Sequence, residues 1–328
     1  MIRFLRILAG FALAITIISG GCRAGDAPDT LTAQRAAAEQ GSSGAQFLLG
    51  LRYHAGDGLP QDYAEAAKWF RLAADQGHAV AQFNLGTMYD TGQGVPQDDA
   101  EAATWYRLAA DQGHAVAQFN LGNMYLTGKG VPQDYAAAVT WYRRAADQGN
   151  AVAQFNLGTM YRTGQGVPQD DAAAVTWYRL AADQGVAQAQ FNLGVSYAAG
   201  QGVPQDYAAA LKWYRLAADQ GDAYAQSNLG VMYDTGKGVP QDYAAALTWY
   251  RLAADQGDAS AQYNLGIMYD AGKGVPQNYV LAHMWYNLAA SHGLSGASEE
   301  RNSMASRMTP DQIAKAQRLA RDWTPKGG

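Results

Sequence analysis

Proline stands at positions 60, 96, 132, 168, 204, 240 and 276, always 36 residues apart. Tryptophan keeps the same interval at 69, 105, 141, 177, 213, 249 and 285. Glycine does so at 50, 86, 122, 158, 194, 230 and 266. Three residue types sharing one period of this size indicate a solenoid or array, not a compact globule. That overrides the two-domain expectation for a chain of 328 residues.

The unit His78–Gly113 shows what each period encodes. After His78 the run AVAQFNLGTMYD places Leu85, Met88 and Tyr89 at helical spacing. Gly92 and Gly94 end that helix, Pro96 fixes the turn, and Asp98 caps a second helix. Asp62, Asp134, Asp170, Asp206, Asp242 and Asn278 stand at the same position. Glu65 and Glu101 are placed to complete a capping box. The second helix passes through Ala102, Trp105, Tyr106 and Ala109 and closes at Gly113. The period thus assigns its glycines, prolines and aspartates to helix ends and caps. One such pair cannot bury its apolar face alone, so stacked neighbours must do it.

The expected fold is all-α: a right-handed α-solenoid of about seven 36-residue helix-turn-helix repeats with a C-terminal capping helix. Residues 42–293 hold the seven repeats, and residues 31–41 form an N-terminal capping helix. Residues 294–328 form a C-terminal helical cap and tail. There 294–308 make one helix, and Thr309-Pro310 open another with Ile313, Ala316, Leu319, Ala320 and Trp323 on one face.

The unit AQFNLGTMYDTGQGVPQDDAEAATWYRLAADQG resembles a Sel-1-like repeat, a relative of the tetratricopeptide repeat. The resemblance covers about residues 31–293, and TPDQIAKAQRLARDW resembles the closing helix of bacterial members. It implies an adaptor that assembles protein complexes, often in the bacterial envelope. Cysteine-rich members of the family pair their helices by disulfides. This chain lacks those cysteines, which argues against the alternative of an envelope hydrolase like those relatives; a turnover assay on cell-wall or β-lactam substrates decides.

The lone cysteine has a different meaning. Arg3 and Arg6, the apolar run Ile7–Ile18 and Ser19-Gly20-Gly21-Cys22 have the layout of a secretory signal, assigned to residues 1–21, followed by a linker at 22–30. The apolar run is too short to span a bilayer. The small residues before Cys22 resemble a bacterial lipobox, with Ser19 where leucine is usual, which implies lipidation of Cys22. Arg23 after it implies, by resemblance to enteric lipoproteins, the outer membrane. The alternative is cleavage after Ala24, giving a soluble periplasmic or secreted protein. Net charge is −5, and removing Arg3 and Arg6 makes it −7. A mildly acidic body argues against nucleic acid, which needs a concentrated basic surface.

Catalytic and metal constellations are missing from the sequence. His78 and His114 share one repeat position with Asn150, Asp222 and Asp258, which marks a helix cap, with Val186 the poorer occupant. His54, His283 and His292 form no ligand spacing. The chain reads as a non-enzymatic binding scaffold with no cofactor and no metal. Its partner is a protein or an extended polymer, and it meets the membrane only through the lipid anchor.

By analogy with tetratricopeptide relatives, the first helix of each unit lines the concave face, with the Val80, Phe83, Thr87, Asp90 and Thr91 positions inward. The Phe83 row reads Phe47, Phe83, Phe119, Phe155, Phe191, Ser227 and Tyr263. The Asp90 row reads His54, Asp90, Leu126, Arg162, Ala198, Asp234 and Asp270. Tyr224 stands in the Val80 row. The aromatic row either packs between units or forms a floor for an extended partner. The variable row either sets specificity or drifts on a solvated surface. Residues 75–86 and 111–122 are the same string, DQGHAVAQFNLG, so a partner that meets many units alike is expected.

Overall fold

The computed structural model describes residues 30–325. The leader at 1–21, Cys22 and the linker up to position 29 lie outside the described residues. Among the described residues there are 17 helices and no strand, arranged as an all-α repeat solenoid. Helix α1 (Thr30–Glu39) precedes seven pairs. These are α2 (Ser43–Ala55) with α3 (Tyr63–Asp75), α4 (Ala79–Thr91) with α5 (Asp99–Asp111), and α6 (Ala115–Thr127) with α7 (Tyr135–Asp147). Next come α8 (Ala151–Thr163) with α9 (Asp171–Asp183), and α10 (Ala187–Ala199) with α11 (Tyr207–Asp219). Then follow α12 (Ala223–Thr235) with α13 (Tyr243–Asp255), and α14 (Ala259–Ala271) with α15 (Tyr279–Ser291). Helices α16 (Ala297–Ala305) and α17 (Pro310–Asp322) close the stack.

The ends of these helices follow from side-chain chemistry. His78 Nδ1 accepts the Ala81 N–H at 3.2 Å, and His114 Nδ1 accepts that of Ala117 at 3.1 Å. Asn150, Asp222 and Asp258 do the same work, while Val186 offers no side-chain bond. Asp98 accepts from the N–H groups of Ala100 and Glu101. The expected capping boxes differ. Glu65 pairs with Lys68 instead of returning a bond to Asp62, and Glu101 returns none to Asp98. The one reciprocal box among the described residues is at Thr309 and Gln312. In the turn, Gly94 has φ 75°, and a Cβ there would fall 2.3 Å from the Tyr63 carbonyl oxygen, so only glycine fits.

The Gly86 row is not at a helix end. It lies inside the first helix, where a Cβ would come within 2.8 Å of the Tyr106 ring. Glycine is required there because the two helices of a unit touch through a fully buried tyrosine (Phe70 in the first unit). Each first helix also packs on the second helix of the preceding unit. The core therefore runs continuously along the stack, one cluster per junction. Burying one such aromatic is worth about 1.5–3 kcal/mol.

The caps reuse the same contacts. Arg35 of α1 donates to the Tyr53 hydroxyl at 2.7 Å, as Arg251 does to Tyr269 at 2.5 Å, so α1 acts as a second helix without its first. At the other end α16 is shorter than 294–308, opening at Gly296 in the left-handed region. Helix α17 lies on α15 with Ala316 and Ala320 buried. Leu319 is exposed, because the contact is made by the small side chains and not by the whole apolar set. Under this cover Met284 and Leu288 are buried, where earlier units carry an exposed Thr or Lys and an exposed Leu or Arg.

Candidate partner-binding surface

The first helices form one layer and the second helices the other. Within the first-helix layer, α12 and α14 also touch one another. The outward side chains of this layer are the Val80, Phe83, Asn84, Thr87, Asp90 and Thr91 rows.

Phe83, Phe119, Phe155, Phe191 and Tyr263 are each half-buried. Their rings lie 5.5–6.0 Å from Tyr106, Tyr142, Tyr178, Tyr214 and Tyr286 of the same unit's second helix. Phe83 is also stacked on His114 of the next unit at 4.6 Å, and Phe191 sits 6.0 Å from Tyr224. Each ring thus gives one side to the inter-unit core and keeps the other at the surface. Ser227 is buried, whereas Tyr224 is 53% exposed.

The variable row is partly occupied by the fold itself. Lys129, in the turn after α6, pairs with Asp90 and reaches Asp99 at 3.2 Å. Arg307, between α16 and α17, holds Asp270 at 2.9 Å. Leu126 packs against the cluster of α7 and α8. Arg162 is exposed and donates through Nε to the Tyr178 hydroxyl at 3.2 Å. Asp234 has no ion pair among the described residues.

Two repeated polar devices escaped the sequence reading. The first is a ladder of buried glutamines. Gln154 donates to the Ala146 carbonyl of the preceding unit at 3.0 Å and accepts from Gln184 of its own unit at 2.8 Å. Gln82, Gln118, Gln190 and Gln226 do the same, and His292 replaces the second glutamine beside Gln262. The second is an arginine from α3, α5, α7, α9 and α13 that reaches the tyrosine of the next first helix, as Arg143 does to Tyr161. A glutamine recurring every 36 residues inside an apolar run was the available signal. Such a group is tolerated in a core only when both ends are satisfied.

None of these groups is arranged for chemistry. Burial of the side chains of Tyr106, Tyr142, Tyr250 and Tyr286 pushes their hydroxyls well above the usual range. Among the described residues no cluster of three or more His, Cys, Asp or Glu could hold a metal ion.

Comparison with known proteins matches this architecture. The Sel1 repeat profile matches seven consecutive segments, 43–78, 79–114, 115–150, 151–186, 187–222, 223–258 and 259–294. The crystal structure of a Sel1 repeat protein from Oxalobacter formigenes is 38% identical, covering 84% of this chain and 79% of that one, with a TM-score of 0.65. The structure of c5321, a protective antigen of uropathogenic Escherichia coli with an SLR fold, is 32% identical. It covers 88% of this chain and 85% of that one, with a TM-score of 0.54. In a stack, small per-repeat rotations accumulate, so shared units do not require closely superposed ends. No curated protein matches the chain.

Proposed function

This chain belongs to the Sel1-repeat family, and we propose that it is a non-enzymatic scaffold of the bacterial cell envelope that binds a partner on its first-helix face. Sel1-repeat proteins typically mediate protein–protein interaction. The observation that carries the reading is the division of labour within one unit. The glutamine ladder and the buried tyrosines repeat with little change, while the outward row runs through His54, Asp90, Leu126, Arg162, Ala198, Asp234 and Asp270. A rigid frame with a variable outward row is suited to recognising a partner segment.

The partner is a protein or extended polymer, and no nucleic acid is expected of an acidic body. Export and lipidation of Cys22 rest on the leader sequence. Mass spectrometry of the mature N-terminus tests them: lipid on Cys22 supports the anchor, and an unmodified start at Gly25 refutes it. A relative that is a protective antigen supports a second reading, a secreted factor that meets the host. Protein found in the medium favours that over an anchored adaptor.

Crosslinked co-purification from envelope fractions tests the main reading. Wild type should capture a partner, and Phe155→Ala with Arg162→Ala should reduce capture without melting the fold. Lost thermal stability with retained capture would instead make the aromatic row a packing device.

A further inference from the structure

The first-helix layer changes character along the stack. Apart from histidine, the charged residues of α2, α4, α6, α8 and α10 and their N-caps are Arg52, Asp90 and Arg162. Those of α12 and α14 with their N-caps are Asp222, Asp234, Asp258 and Asp270, with no Lys or Arg.

A second change begins near the same place. In the earlier units the buried tyrosine of the second helix has a polar acceptor on the first. Tyr106 donates to Thr87 Oγ1 at 3.2 Å, Tyr142 to Asn123 Oδ1 at 2.5 Å, and Tyr178 to Thr159 Oγ1 at 3.2 Å. From the fifth repeat onward that acceptor is replaced by Val195, Val231 and Ile267. Tyr214, Tyr250 and Tyr286 are only 3%, 1% and 2% exposed, and their hydroxyls have no hydrogen-bond partner among the described residues. These hydroxyls are not sealed in the core, as the fully buried unpartnered side-chain atoms are elsewhere. A phenol hydroxyl can both donate and accept, so each is an unused polar group at the floor of the face.

Asp234, on the same face, is also unspent. Lys129 is drawn between Asp90 and Asp99. At the equivalent of Asp99 stands Tyr243, and Lys273, the equivalent of Lys129, lies over that ring at 5.5 Å and makes no ion pair with Asp234. Asp234 acts electrostatically on Tyr250. At the other end of the same helices Asp222 and Asp258 cap α12 and α14 at 2.8 and 2.7 Å. Burial foremost, and the Asp258 charge in addition, hold the Asp222 carboxyl above its ordinary value.

We propose that repeats five to seven bind a basic, extended segment of a partner protein. Its Lys or Arg side chains meet Asp222, Asp234 and Asp258, and its backbone meets the hydroxyls of Tyr214, Tyr250 and Tyr286. This rests on the scaffold reading above and names the chemistry of the partner. Successive first helices are spaced by roughly 10 Å, about one helix diameter. An extended chain advances about 3.3 Å per residue, so about three partner residues pass each hydroxyl.

The test uses the whole exported chain and a labelled peptide of three Lys-Thr-Ser triplets, with three Glu-Thr-Ser triplets as the control. Fluorescence anisotropy at low salt should show saturable binding of the lysine peptide only. The combined Asp222→Asn, Asp234→Asn and Asp258→Asn variant should bind it at least about tenfold more weakly, with helix caps kept because Asn caps as Asp does. Tyr250→Phe should weaken binding several-fold with an unchanged circular-dichroism spectrum, and Asp147→Asn, at the exposed end of a second helix, should leave it unaltered. No saturable binding, equal binding of the glutamate peptide, or wild-type affinity in the triple variant would overturn the proposal. If the triple variant still captures the envelope partner like wild type, this site falls and the scaffold reading stands. If wild type captures nothing while the peptide binds as expected, the scaffold reading falls instead.

Discussion

Replacing Gln154 with methionine removes one rung of the glutamine ladder while keeping the length of the side chain. Two hydrogen bonds are lost, to the Ala146 carbonyl at 3.0 Å and from Gln184 at 2.8 Å. Neutral bonds of this kind contribute about 1 kcal/mol each. The groups left behind are not fully orphaned. Ala146 O still accepts the Gly149 N–H at 2.9 Å, and Gln184 is exposed enough to turn to water. Added apolar burial recovers a few tenths of the loss, so the net cost is about 1–2 kcal/mol. Gln184→Ala should cost less than about 1 kcal/mol, and a double-mutant cycle should show coupling of about 0.5–1 kcal/mol. In a quasi-one-dimensional stack the damage stays at one junction. Native-state hydrogen exchange should therefore lose protection where α7 meets α8, with α2 and α14 unaffected. Methionine that matches or exceeds wild-type stability would refute the claim that the ladder stabilises the stack.

Gly158→Ala should destabilise despite the better helix propensity of alanine: its Cβ would lie 2.8 Å from the Tyr178 ring and 3.1 Å from the Ala174 carbonyl oxygen. Overpacking of about 1–3 kcal/mol outweighs a propensity gain of at most about 1 kcal/mol, and a raised urea midpoint would sink this. Trp177→Ala, in the middle of the array, should cost about 3 kcal/mol. Trp323→Ala should cost far less, since Trp323 meets the stack only at its end, edge-on to Trp285 at 6.4 Å; equal losses on denaturation would count against the stacking account. His114 caps α6 only while its Nδ1 is unprotonated, and burial lowers its pKa. A depressed histidine means the folded state binds fewer protons, so its contribution is present above the unfolded pKa of about 6.5 and lost as pH falls below it. His114→Asn should match wild type at pH 8 and lose less stability between pH 6.5 and 5; parallel pH profiles would show that the cap does not titrate.

Much of this protein is written in its sequence because the repeat is local. A period of 36 residues, a proline in each turn and an Asp or His at each helix start define where helices begin and end, through groups only a few residues apart. Even Val186, the one poor cap of its row, was legible, and it forms no side-chain bond. The family follows from the same motifs. What needed the tertiary structure is what crosses between units. Gly86 looks like punctuation in the sequence and is a packing position, because only the folded pair brings Tyr106 against it. Asp90 and Asp234 occupy the same repeat position, yet one is held by a lysine 39 residues on and the other has no ion pair. The hydroxyl of Tyr250 is unpartnered because a valine replaces threonine on a different helix. Spacing along the chain sets helices and their caps. Whether a polar group is satisfied or free depends on its neighbours in space, and in this fold those neighbours lie a half or a full repeat away.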